Sequence, residues 1–78
     1  MTIKQRTSVA LAVCIHNEGY AVSLERRKLY RVLPDAEAAR YRQLRVIDES
    51  GEDYLYPESF FVLVQLPEAI ERAVIEAA

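Results

Sequence analysis

The chain has 78 residues, a hydrophobic share of 51% and a charged share of 28%, which is the chemistry of one small globular domain and excludes a disordered or linker-like polymer. A domain this short buries only about 60% of the surface its unfolded chain exposes, so its core is thin. The single cysteine, Cys14, cannot close an internal disulfide, and one Cys with one His is too few soft ligands for a structural zinc site, which together predict a cytoplasmic protein with no metal and no cofactor.

The N-terminal Met1–Arg6 is basic, but the apolar run after it, Val9–Ile15, is short and has no small-residue cleavage pattern, so it reads as a strand and not a signal peptide. No apolar stretch reaches the roughly 20 residues of a membrane helix, which argues against a membrane partner. Thr7–Ile15 alternates with period two. Val9, Leu11, Val13 and Ile15 fall on one face, and Ala10, Ala12 and Cys14 on the other. That second face is small and apolar, which predicts close packing over it. Asn17-Glu18-Gly19 is a turn, and Tyr20–Leu24 reads as a short strand or extended loop. Glu25-Arg26-Arg27 turns again, and Lys28–Leu33 is a second alternating strand that Pro34 stops.

Asp35 is an N-cap candidate followed by good helix formers, so Asp35–Gln43 is a short helical insertion. Leu44–Asp48 and Asp53–Tyr56 form a hairpin across Glu49-Ser50-Gly51-Glu52. Pro57-Glu58-Ser59 suits a 3₁₀ turn, and Phe60–Leu66 is the last strand. From Pro67 to Ala78 the pattern is helical, with Pro67 at the first helical position and an apolar stripe of Ile70, Ala73, Val74 and Ala77. A helix this short is marginal alone, so the stripe must dock on the strands or on a second copy in a homodimer. The expected architecture is mainly β: one domain over 1–78, with a barrel over about 7–66, a helical insertion, and a C-terminal helix over about 67–78.

Gly51-Glu52-Asp53-Tyr54-Leu55-Tyr56-Pro57-Glu58-Ser59-Phe60-Phe61-Val62 resembles the end of a Src-homology-3-type barrel, in which a hairpin leads through a Pro-x-x-aromatic 3₁₀ turn into the closing strand. The resemblance implies a five-stranded Src-homology-3-like (SH3-like) barrel, with Pro57 and Phe60 at that family's Pro and aromatic positions. The segments Lys28–Asp35 and Asp48–Pro57 also make the chain similar to a group of small uncharacterised bacterial proteins. There is no Trp, and the end of the first long loop is basic, so the resemblance extends to the fold and not to the gripping of proline-rich peptides.

Three groups of residues are candidates for function. Tyr30, Tyr54, Tyr56, Pro57 and Phe60 gather large stiff rings, some with polar tips. They either plug the barrel or form a protein-binding surface. Arg26, Arg27, Lys28, Arg31, Arg40, Arg42 and Arg45, with Tyr30 and Tyr41 among them, offer a nucleic-acid-binding alternative over 26–45. Residues 25–45 carry a net +4 and residues 46–78 a net −7, so the same cations also suit ion pairs with the acidic end. The pI of about 5.3 weighs against strong nucleic-acid binding. Third, Cys14 and His16 lie two apart, but only Asn17 is at hand to orient a base, and an apolar strand is where a structural cysteine is buried. The acidic turn Asp48–Asp53 lacks calcium-loop spacing and reads as a solvated hairpin tip. The expected function is therefore protein–protein interaction without catalysis, with nucleic-acid or ribosome association as the alternative.

Overall fold

The computed structural model describes residues 10–77. Five antiparallel strands form one sheet in the order β4-β3-β2-β1-β5. They are β1 (Ala10–Cys14), β2 (Leu29–Leu33), β3 (Gln43–Ile47), β4 (Asp53–Pro57) and β5 (Phe61–Val64). Two helices accompany them, α1 (Ala36–Arg40) and α2 (Glu68–Glu76), with a 3₁₀ turn over Glu58–Phe60. The part of the first expected strand before Ala10 lies outside the described residues.

The 3₁₀ turn forces the sheet to coil. Laid flat, five strands would put β4 and β5 about 19 Å apart, four spacings of about 4.8 Å. The three residues of the turn cover only about 8 Å from Pro57 to Phe61. The two edges are therefore drawn together at that end, and the Tyr56 and Phe61 rings meet with centroids 6.2 Å apart. No ladder joins β4 to β5 among the described residues.

Small residues on the central strand make room for rings from both neighbours. Ala12 faces Tyr30 on β2, and Cys14 faces Phe61 on β5. The Tyr30 and Phe61 rings then stand edge to face, 6.4 Å apart, over the strand between them. The core is this face: Ala12, Cys14, Leu24, Tyr30, Val32, Val46, Tyr56 and Phe61. On the other face, Leu11 is also buried. It shares a cleft with Leu29 and Ile47 that Val74 and Ile75 of α2 line from above, so the helix lies against its own sheet. Half of Ile70 stays exposed. Pro67 is the N-cap of α2 rather than its first residue.

Two expected elements differ. Tyr20–Leu24 is not a strand. The Tyr20 N–H donates to Asn17 O, and the Ser23 and Leu24 N–H groups donate to Tyr20 O, a pair of turns that the Gly19 φ of 84° helps to set. The last strand begins at Phe61, because Phe60 closes the 3₁₀ turn. The α1 cap is as expected, with Asp35 accepting from the Ala38 N–H at 2.9 Å. That helix ends at Arg40, and Arg42 follows at φ 59°. Its N–H donates to Ala39 O, so an arginine occupies the left-handed position where glycine is least strained. Arg42→Gly is expected to raise stability by about 1 kcal/mol by relieving that conformation; a urea titration reading an unchanged or lower midpoint would contradict this.

Candidate functional site

Residues 15–28 form one long connection between β1 and β2. Asn17 staples it, its Nδ2 donating to Leu24 O at 3.0 Å. Leu24 is fully buried and anchors the connection in the core. The β3–β4 turn is wound around Asp48, whose Oδ1 accepts from the Ser50 N–H at 2.9 Å and from Ser50 Oγ at 2.6 Å. Gly51, at φ 87°, completes that turn. Asp48 is only 6% exposed, so the expectation of a solvated tip fails at this residue. The Ser50 bonds and the phenol of Tyr56 make its burial tolerable.

Two phenols join the turn to the connection. Tyr56 Oη donates to Asp48 Oδ2 at 2.5 Å and shares a 3.0 Å hydrogen bond with Ser23 Oγ. Tyr30 Oη donates to Glu49 Oε2 at 2.5 Å and accepts from the Glu25 N–H at 2.7 Å. The Glu49 N–H donates to Ser23 O, and Lys28 Nζ lies 2.7 Å from Glu49 Oε2. Burial pushes both phenols up, and their bonds to carboxylates push the same way. Burial opposes ionisation of Asp48, but hydrogen bonds from Ser50 and Tyr56 outweigh it and hold the carboxyl below its ordinary range. Lys28, then Tyr30, hold Glu49 down.

Tyr20 lies on this clasp. Its ring meets Tyr56 edge-on at 5.0 Å and Phe60 at 6.0 Å. Tyr20, Ser23, Tyr54 and Leu55 line an open groove of about 390 Å³ with Tyr56 in its floor. Tyr20 is 43% exposed, Tyr54 50% and Leu55 40%. The candidate aromatic set therefore divides. Tyr30 and Tyr56 are buried with their hydroxyls spent inside the protein, so of the two readings left open for these rings they follow the core one. Tyr54 is surface. Pro57 and Phe60 are half-buried, and Phe60 meets the ring of Tyr20. Tyr20 was not among the candidates, because nothing in its local pattern placed it next to a residue 36 positions away. The tyrosine following a glycine turn was the available signal.

The basic set divides too. Lys28 is held by Glu49, and Arg45 bridges Asp35 at 2.7 Å and Asp53 at 3.0 Å. Two of these pairs tie the cationic middle of the chain to its acidic end. Arg26 and Arg27 line a groove with Val13, Cys14 and Ile15 at the start of β2. Arg40 and Arg42 follow the end of β2, about 13 Å away along a five-residue strand, and Arg31 lies between. Of the seven cations expected as a nucleic-acid track, two, Lys28 and Arg45, are engaged by carboxylates. Cys14 is buried and its Sγ donates to His16 O, not to the imidazole, at 3.1 Å. Burial pushes that thiol up, while the exposed His16 ring sits 6.3 Å from Phe60. Among the described residues no His, Cys, Asp or Glu cluster is placed to hold a metal ion, and no helix is long and apolar enough to cross a membrane. The chain matches no family model, no curated protein and no solved structure.

Removing the Tyr56 hydroxyl leaves a buried carboxylate short of a donor. Tyr56→Phe is expected to cost about 1–3 kcal/mol in urea unfolding, and a loss below a few tenths would show that the bond carries nothing. Asp48 and Glu49 are depressed in the folded state from ordinary values of 3.8 and 4.5. Their contribution is complete above those values and is lost as pH falls through the lower folded ones. The melting temperature is therefore expected to drop from about pH 4.5 downward, less steeply in Asp48→Asn; equal slopes in the two proteins would contradict the assignment.

Proposed function

We propose that this chain is a small Src-homology-3-like barrel of the cytoplasm that works without catalysis, by holding a protein partner in the groove between its long first connection and β4. The observation that carries this reading is a pair of half-exposed tyrosines, Tyr20 and Tyr54, facing one groove whose floor and rim are fixed by buried hydrogen bonds. Exposed rings on a rigid support favour binding, because a stiff aromatic loses little conformational freedom when it is covered. The strand order, with β5 beside β1 and the 3₁₀ turn leading from β4 into β5, supports the barrel reading.

The nucleic-acid reading draws on Arg26, Arg27, Arg31, Arg40 and Arg42, none of which has a carboxylate partner among the described residues. Their separation along β2 supports it less well than the groove supports a protein partner.

The test is paired capture. Tyr20→Ser with Tyr54→Ala is expected to leave the melting temperature within a few degrees of wild type, since both rings are half in solvent. The same change is expected to abolish retention of the specific partner proteins that the immobilised wild-type chain captures. Retention of the same set by the folded double variant would overturn the groove. Binding that appears only with nucleic acid, falls steeply with salt and is lost in Arg26→Ala with Arg27→Ala would install the alternative.

A further inference from the structure

The two edges of the sheet are built differently. In an antiparallel ladder alternate residues bond inward, and the rest direct their N–H and C=O to the outside. Asp48 N–H bonds Glu52 O and Glu58 N–H bonds Arg42 O, which fixes the even residues of β4 as those facing β3. Asp53, Leu55 and Pro57 therefore face out. Pro57 has no N–H to offer, and Asp53 puts a charge on the edge, so β4 is guarded at both ends. On the other side, Ile15 N–H bonds Phe60 O, which turns Val62 and Val64 toward β1 and leaves Leu63 directed outward. No strand pairs with the outer side of β5 among the described residues, which leaves the Leu63 N–H and C=O without a ladder partner there. Its side chain is 60% exposed and that of Val62, on the opposite face, 49%. From Ser59 to Pro67 there is neither a charge nor an interrupting proline within the strand. Among the described residues this edge carries no charge, no proline and no pairing strand, the usual guards of an edge.

We propose that β5 is a self-association edge, at which a second copy of this chain adds its own β5 antiparallel across Leu63. Two observations commit the occupant to a second copy. Each chain carries a net −2, and the segment 59–67 is where two like-charged copies can meet with no charge opposed to another. With β4 guarded, each copy has one open edge among its described residues, so the addition closes at a two-fold dimer and does not run on into a fibre. The added strand satisfies the Leu63 backbone and covers Val62 on one face and Leu63 on the other. This edge is separate from the Tyr20–Tyr54 groove, and its test does not depend on that reading.

Sedimentation equilibrium of the whole chain from about 1 µM to about 1 mM is expected to show a monomer–dimer equilibrium without higher species. Leu63→Pro removes an outward N–H and leaves the β1 ladder intact. It is expected to weaken dimerisation by about tenfold or more, with an unchanged circular dichroism spectrum. Leu63→Lys, which keeps the N–H and charges the edge, is expected to do the same, and it decides the matter if the proline variant does not fold. Leu55→Lys on β4 is expected to leave the dimer in place. A monomer throughout the range, a dimer that survives both Leu63 changes, or one that Leu55→Lys dissociates would each overturn the proposal.

Discussion

Two phenol–carboxylate hydrogen bonds, Tyr56 to Asp48 and Tyr30 to Glu49, fasten the long β1–β2 connection to the β3–β4 turn. Each begins in the core and ends at the rim. A ring that is buried on its apolar faces carries its hydroxyl out to a carboxylate on the turn, and the same hydroxyl meets the connection at Ser23 or at the Glu25 N–H. Without these bonds the fourteen-residue connection over 15–28 would have Leu24 as its main tie to the core. With them, Tyr20 is carried to Tyr56 and Phe60, and the groove acquires its second wall.

The clasp in turn needs the coil of the sheet. Tyr30 is on the second strand and Tyr56 on the fourth, yet both rings pack on Phe61 of the fifth. That is achieved because Ala12 and Cys14 on β1 take up so little space, and because three residues of 3₁₀ turn bind the two sheet edges together. The buried carboxylate of Asp48 fits the same scheme. A lone buried charge would be costly, but this one accepts from the Ser50 backbone, the Ser50 hydroxyl and the Tyr56 phenol.

Much of this was legible in the residues. Alternation placed β1 and β2, the Gly51 turn placed the β3–β4 hairpin, Asp35 capped α1, and Pro57 marked the 3₁₀ turn. The small face of β1 was correctly read as one that something packs against closely. Local pattern failed where a contact spans distant positions. Asp48 looks like any acid in a turn until Tyr56 and Ser23 are brought beside it, and Tyr20 looks like a strand residue until its turns are seen. Tyr54 and Tyr56 share a face and differ tenfold or more in exposure, 50% against 3%, because the core ends between them. Period two gives the face of a residue and says nothing of where along the strand the core stops.

The phenols hold the connection in place, and amide hydrogen exchange in Tyr30→Phe with Tyr56→Phe tests that directly. If the clasp works as described, the Glu25 and Leu24 amides lose protection at least several-fold more than the Cys14 amide, whose bond to Lys28 O continues the β1–β2 pairing by one residue. Protection at Glu25 and Leu24 that stays at the wild-type level in the double variant would contradict it.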